Sequence, residues 1–179
     1  GGLGRHIQKE SILEAHKNGV EFISVSPLRS DMIDDVDAAW LSIRPNSDAA
    51  LMIGLCHVLF DEGLHDRAFL DRYCVGFDQF ADYLTGAIDG IVKDAVWAGA
   101  ICAMEAEPIK ALARRMAKSR TLLSFSWSLT RQAHGEQPLW AGPTLAAMLG
   151  QVGLARGGFG LGYSAVNTVR NHIQRLPVA

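Results

Sequence analysis

The sequence lacks the spacings by which cysteine usually announces a metal. Its three cysteines, Cys56, Cys74 and Cys102, stand far apart and never as C-x-x-C, which leaves no zinc or iron–sulfur site to expect. They read as buried thiols that behave as small apolar side chains. Seventeen Lys and Arg nearly cancel nineteen Asp and Glu, for a net charge of −2, with no basic block or stripe. Such a surface has no electrostatic grip on a phosphate polymer, so nucleic acid is not an expected partner. No apolar run approaches the ~20 residues that a bilayer-spanning helix requires. The opening Gly1-Gly2-Leu3-Gly4-Arg5-His6 has neither a basic nor an apolar leader region. No transmembrane segment is expected, and the location of the protein stays open. The sequence contains no G-x-S-x-G, H-E-x-x-H or G-x-x-x-x-G-K-[ST], which removes the common hydrolase, zinc-protease and P-loop readings. Internal repeats and low-complexity stretches are also missing.

What is present is 49% apolar residues over 179 positions, enough to bury one substantial core within one domain or part of one. Ser11 to Asn18 is predicted as a short helix, stopped by Asn18-Gly19. The β-branched and aromatic run Val20 to Val25 follows as a strand, which Ser26-Pro27 closes. Ala39 to Ile43 is a second short strand. It leads through Arg44-Pro45-Asn46-Ser47-Asp48 into Ala49 to Phe60, a helix apolar on almost every side and therefore buried on more than one face. Asp66 to Tyr73, Phe77 to Leu84 and Asp94 to Ala100 form a helical insertion. From Glu105 to Lys118, Ile109, Leu112, Ala113 and Met116 recur at helical spacing, and Pro108 falls in the first turn, where its missing N–H costs little. Thr121 to Ser126 is predicted as a buried strand and about Pro138 to Gly150 as a last long helix. Helix and strand alternate, which argues for α/β architecture with a mostly parallel sheet. The tail after Gly153, with Gly157, Gly158, Gly160 and Gly162, is expected to be an irregular excursion. These glycines follow a helix instead of joining a strand to a helix, so a dinucleotide-loop reading lacks its mechanism.

In open parallel sheets ligands bind beyond the carboxyl ends of the strands. Three connections lie there: Ser26 to Asp31, Arg44 to Asp48, and Trp127 to Gln137. Asp48 lies at a helix N-terminus, where a carboxylate is stabilised by the dipole. It serves either as a helix cap or as an acceptor for paired N–H donors such as the Watson–Crick edge of guanine, with Arg44 near phosphate. The third connection gathers an indole, a guanidinium and an imidazole with several hydrogen-bonding side chains. Taken singly, Trp127 suits core packing, Arg131 a surface ion pair and His134 a structural histidine. Their concentration at one strand end favours a ligand. From the residues alone the reading ends at a ligand-binding α/β domain.

Three stretches carry a resemblance beyond that. They are Phe22-Ile23-Ser24-Val25-Ser26-Pro27-Leu28-Arg29, then Ile43-Arg44-Pro45-Asn46-Ser47-Asp48-Ala49-Ala50-Leu51-Met52, then Trp127 through His134-Gly135-Glu136-Gln137-Pro138 to Met148-Leu149-Gly150-Gln151-Val152-Gly153-Leu154. In order and spacing they resemble the dimethyl sulfoxide reductase family of molybdopterin oxidoreductases. The similar branch is that of biotin sulfoxide, trimethylamine N-oxide and dimethyl sulfoxide reductases. Glu62-Gly63-Leu64-His65-Asp66-Arg67 and Gly76-Phe77-Asp78 also look like this branch, and the resemblance fades after Gly162.

The resemblance implies an interior fragment of a much longer bacterial enzyme with a Rossmann-like, three-layer α/β/α fold. Residues 1–162 would be part of a dinucleotide-binding domain with a helical insertion at about 62–104, and 163–179 an irregular tail. The parent would carry molybdenum on two molybdopterin guanine dinucleotides and reduce an S-oxide or N-oxide. The fragment would contribute to one dinucleotide site and part of the substrate funnel, hold no metal ligand, bind no cofactor alone and have no activity alone. Carried over by position, Asp48 would read guanine, and Ser26, Pro27, Arg29 and Arg44 would line the nucleotide. Trp127, Ser128 and Arg131 would approach the pterin and substrate, with Arg131 polarising an oxide oxygen, and His134 would be a further cofactor contact. Ser26 stands where Asp or Asn is usual, Thr130 where Gln is usual, and Ala155-Arg156 where Pro-Gly is usual, which bears on ribose contacts and substrate identity. Missing domains of the parent would be partners, and apolar faces left uncovered would favour self-association. The rival reading is a stand-alone nucleotide-binding or protein-interaction module, with Asp48 a cap and the Trp127 segment a docking loop.

Overall fold

The computed structural model of the chain describes residues 8–161. Helix α1 (Gln8–Lys17) ends as its sequence requires. Gly19 takes φ +82°, and the Gly19 and Val20 amides donate to the His16 and Ala15 carbonyls at 2.9 and 3.0 Å, which satisfies carbonyls the helix leaves open. Strand β1 is only Ile23–Val25 and pairs in parallel with β2, Ala39–Leu41, with Ser24 opposite Trp40. Val20 to Phe22 falls outside the strand, although the Phe22 carbonyl still accepts the Ala39 amide at 3.0 Å. A parallel pair needs a crossover, and here it is made of two 3-10 turns, Arg29–Asp31 and Asp34–Val36.

The core is built around α2, Asp48–Asp61. Leu51, Met52, Leu55, Cys56, Val58 and Leu59 are all buried, with Leu59 at 0% exposure. A helix apolar all round has to be surrounded, and α2 packs against α4 (Phe77–Leu84), α5 (Ala95–Cys102), α6 (Ala106–Lys118) and α7 (Glu136–Met148). Helix α3, Arg67–Tyr73, packs on α7. Helices α2 and α5 lie so close that a Cβ on Gly54 would stand 2.5 Å from that of Ala98. Helix α6 buries Ile109, Leu112, Ala113 and Met116, the stripe its periodicity announces.

Strand β3 (Leu122–Phe125) pairs in parallel with β4 (Gly158–Leu161), Leu122 opposite Gly158. This corrects the expectation of an irregular tail after Gly153. A glycine-poor pattern is the usual sign of a strand, but the open edge of β3 supplies ladder hydrogen bonds that outweigh glycine's weak preference. Gly158 enters at φ +83°, a conformation that favours a residue without Cβ. Gly158 and Gly160 thus lie in a strand, and Gly162 with the proposed 163–179 tail lies outside the described residues. A second correction concerns the interior of β3. Leu122 and Ser124 are exposed and Leu123 and Phe125 half-buried, because α7 covers one face only. The sheet differs too: among the described residues there are two separate two-stranded parallel sheets and seven helices. The architecture is mixed α/β.

Gly142 shows how tightly α7 sits on β3. A Cβ there would stand 2.4 Å from the Phe125 ring. Gly142→Ala is expected to destabilise the chain by about 1 kcal/mol, the low end for overpacking since the ring can tip away. Urea unfolding checks this, and an unchanged or raised midpoint would show that the ring yields freely.

Candidate functional site

The turn from β2 into α2 is fixed from three sides. The Arg44 amide donates to the Cys102 carbonyl at 2.8 Å. The Ser47 hydroxyl, on a buried residue, donates to the Arg44 carbonyl at 2.6 Å. The Cys102 thiol donates to the Ser47 carbonyl at 3.4 Å. Asn46 takes φ +67° at the tip, a region that asparagine enters more readily than other side chains. Ser47 therefore occupies the cap position, though its hydroxyl turns back instead of capping, and Asp48 is the first residue of the helix.

The Asp48 carboxyl is half-buried and has no side-chain partner among the described residues. Burial pushes its pKa above the usual carboxylate value, opposed by a hydrogen bond from its own N–H. Raised in the folded state, it contributes stability fully present below the unfolded pKa and lost as pH rises through the folded one. At neutral pH its charge is a cost that a ligand bearing N–H donors would offset.

The opposite wall starts at β3. Ser126 begins the 3-10 turn Trp127–Thr130 and accepts from the Ser128 amide at 3.2 Å, while the Ser128 hydroxyl donates to the Ser126 hydroxyl at 2.8 Å. The chain then folds back on itself. His134 takes φ +56°, and Gly135 is buried so close to the turn that a Cβ would stand 2.7 Å from the Leu129 carbonyl oxygen. That return delivers Gln132, Ala133, His134, Gln137 and Pro138 to one side of a cleft of about 340 Å³, with Asn46 and Ala49 on the other. His134 and Glu136 are exposed, with Nδ1 3.9 Å from the carboxylate.

Two of the three strand-end connections thus meet across one cleft. Of the residues singled out in the sequence, His134 lines it; Asp48 lies between the lining residues Asn46 and Ala49 but is not itself a wall residue. Arg44, Ser128 and Arg131 are exposed, and Trp127 is 50% exposed. Arg44 and Arg131 have no ion-pair partner among the described residues. The remaining connection, Ser26 to Asp31, is not joined to the cleft by any hydrogen bond among the described residues. Ser26 is buried, its hydroxyl spent on the Asp31 carboxylate and on the Leu28 amide at 3.2 Å, and its carbonyl accepts the Trp40 indole N–H at 2.9 Å. Pro27 and Arg29 are exposed on that turn. The parallel register of β1 and β2 nonetheless puts Ser26 and Arg44 at the same carboxyl edge.

Asn46, Gln132, Gln137 and Cys102 were not among the expected site residues. Asparagine after proline at a helix entrance is a signal for the positive φ of Asn46. Nothing in the sequence near Cys102 ties it to a turn more than fifty residues earlier.

A family model described as molybdopterin oxidoreductase matches residues 4–176. The chain is 47% identical over 151 residues to dimethyl sulfoxide/trimethylamine N-oxide reductase of Cereibacter sphaeroides, covering 84% of this chain and 18% of that protein. It is 44% identical over 169 residues to biotin sulfoxide reductase of the same organism, covering 94% and 23%. It is 48% identical over 140 residues to trimethylamine-N-oxide reductase of Pasteurella multocida, covering 78% and 17%. Among solved structures, acetylene hydratase from Pelobacter acetylenicus superposes with a TM-score of 0.67 at 24% identity, over 80% of this chain and 19% of that one; this likeness concerns the fold alone. The chain spans roughly a fifth of the length of the curated relatives it matches.

Proposed function

Since the chain belongs to the molybdopterin oxidoreductase family, we propose that it is part of a molybdenum-dependent S-oxide or N-oxide reductase and holds the guanosine diphosphate end of one molybdopterin guanine dinucleotide. The observation that carries this reading is the cleft, in which the connections after β2 and β3 face each other.

The residues present suit that group. Asn46, Gln132, His134 and Gln137 offer neutral donors and acceptors. Asp48 offers a half-buried carboxylate at the start of a helix, and the Watson–Crick edge of guanine, but not that of adenine, presents two adjacent N–H donors to it. Arg44, without an ion-pair partner among the described residues, offers its cation to phosphate, with Ser26, Pro27 and Arg29 on the neighbouring turn. Trp127, Ser128 and Arg131 extend from the second wall, exposed and available to the pterin and the substrate oxide. The Arg131 guanidinium, a planar cation with a fixed fork of donors, would there stabilise negative charge developing on an oxide oxygen. When bound, the metal–pterin group supplies the redox chemistry, and this chain contributes binding, orientation and charge.

The two short sheets are read as parts of one Rossmann-like, three-layer domain, residues 1–162 with the insertion at about 62–104, completed by other parts of the parent. In support, Trp40, Leu122, Trp127, Trp140 and Phe159 are exposed around the strands, the kind of apolar surface that a neighbouring domain covers. The same faces would drive self-association of the fragment alone.

Calorimetric titration with guanosine and adenosine 5′-diphosphates tests the reading; guanosine should bind more tightly. Affinity should also rise with pH through the raised pKa of Asp48 and then level off, since the N–H edge binds only the ionised carboxylate. Equal affinities for both nucleotides, or a guanosine affinity that falls as pH rises through the acid range, would remove Asp48 from the site.

A further inference from the structure

We propose that Cys102, at the end of α5 in the helical insertion, is the positioning residue for the Arg44–Asp48 turn. Its functional weight rests on the guanine reading of Asp48; its structural part does not.

Cys102 reaches the turn twice. Its carbonyl accepts the Arg44 amide at 2.8 Å, and its thiol donates to the Ser47 carbonyl at 3.4 Å. These two contacts bracket the residues between β2 and α2, so Cys102 holds both ends of the turn at once. Ser47 carries the first main-chain acceptor of α2, its carbonyl also receiving the Leu51 amide at 3.1 Å. The thiol therefore bears on the peptide unit that leads directly into Asp48. Cys102 has 0% exposure, and burial pushes its thiol above the ordinary value, so it remains an S–H donor at neutral pH.

Its own position is set by close packing. Gly54 of α2 admits Ala98 of α5 without a Cβ between them, and Gly99 lies so near Met104 that a Cβ would stand 2.3 Å from its carbonyl oxygen. Ala103 then leaves the helix at φ +56°. Helix α5 is thus locked along α2 with its last residue under the turn. The insertion carries no wall residue of the cleft; among the described residues, its hydrogen bonds to the Arg44–Asp48 turn come from Cys102.

Three variants of the full chain test the assignment. Cys102→Ala removes the donor, Cys102→Ser keeps one, and Cys56→Ala removes another fully buried core thiol that makes no hydrogen bond to the turn. Amide hydrogen exchange is followed by NMR at Arg44, with Leu55 and Val58 reporting on α2 as a whole. Arg44 keeps its acceptor, the Cys102 carbonyl, in every variant, so its exchange reports how readily the turn opens. It should accelerate by about threefold to tenfold in Cys102→Ala, the value of the lost thiol hydrogen bond to Ser47, beyond any change shared with Leu55 and Val58. Cys102→Ser should restore protection, and Cys56→Ala should move all three amides together. The preference for guanosine over adenosine diphosphate should fall in Cys102→Ala alone. If Arg44 exchanges no faster relative to Leu55 and Val58 in Cys102→Ala than in Cys56→Ala, the assignment is overturned. A wild-type chain with no guanosine preference would instead sink the role of Asp48, while the exchange data still decide whether Cys102 holds the turn.

Discussion

Replacing Asp48 by alanine is expected to weaken guanosine diphosphate about ten- to a hundredfold while leaving adenosine diphosphate nearly unchanged. A hydrogen bond to a charged group is worth about 1.5–3 kcal/mol, and about 1.4 kcal/mol is a factor of ten in affinity. The loss falls on guanine because its N1–H and exocyclic amine have no acceptor once the carboxylate is gone, whereas adenine never used it. The same change should cost little folding stability, since the carboxylate is held against its preference for water in the free chain. Parallel titrations and thermal unfolding separate the two effects. Equal weakening for both nucleotides, or a collapse in stability that accounts for the binding loss, would leave Asp48 as part of the helix entrance and nothing more.

Leu59→Ala should produce the largest loss of stability. Leu59 has 0% exposure in the last turns of α2 and belongs to the cluster that joins that helix to its neighbours. Truncating a fully buried leucine costs about 2–5 kcal/mol, part from lost transfer free energy and part from the cavity left behind. For a chain of this length each kcal/mol lowers Tm by about 2–4 °C. Denaturant unfolding should show a lower midpoint with the slope unchanged. A cost below about 1 kcal/mol would mean that the neighbours collapse into the gap, and that α2 is not the rigid post on which the Asp48 turn stands.

How far the sequence carried the reading differs from element to element. The all-apolar run after Asp48 made α2 a surrounded helix, and the stripe Ile109, Leu112, Ala113 and Met116 gave α6 its buried face; both follow from local periodicity, which the chain writes in full. Strand β4 was not legible. Its glycines carry no β preference, and it is held by main-chain bonds to β3, whose residues lie more than thirty positions earlier. The exposure of Leu122 was equally hidden, because an apolar strand reads the same whether its second face is covered or bare.

The candidate site divides the same way. Arg44 to Asp48 and Trp127 to Gln137 were picked out as strand-end connections rich in polar side chains, and their family resemblance was visible in residue order. That they face each other across one cleft was not visible, since it depends on how α7 and α2 pack. The spent hydroxyl of Ser26 was hidden as well: a serine at a strand end reads as a ligand contact until the fold supplies Asp31 and the Leu28 amide as its partners.

By itself, then, the order of residues determined the helices and every strand but β4, the family to which the chain belongs and which turns carry polar groups. The elements and turns are local, set by side-chain period, cap and turn chemistry within a few residues, and the family is written in the order of such stretches along the chain. Tertiary structure alone decided that Asn46 and His134 share a cleft, that Asp48 is half-buried beside it, and that Cys102 supports the turn. Those facts come from packing between elements distant in the chain, where burial and close approach at residues such as Gly54 and Gly135 are properties of pairs of surfaces and of no single stretch.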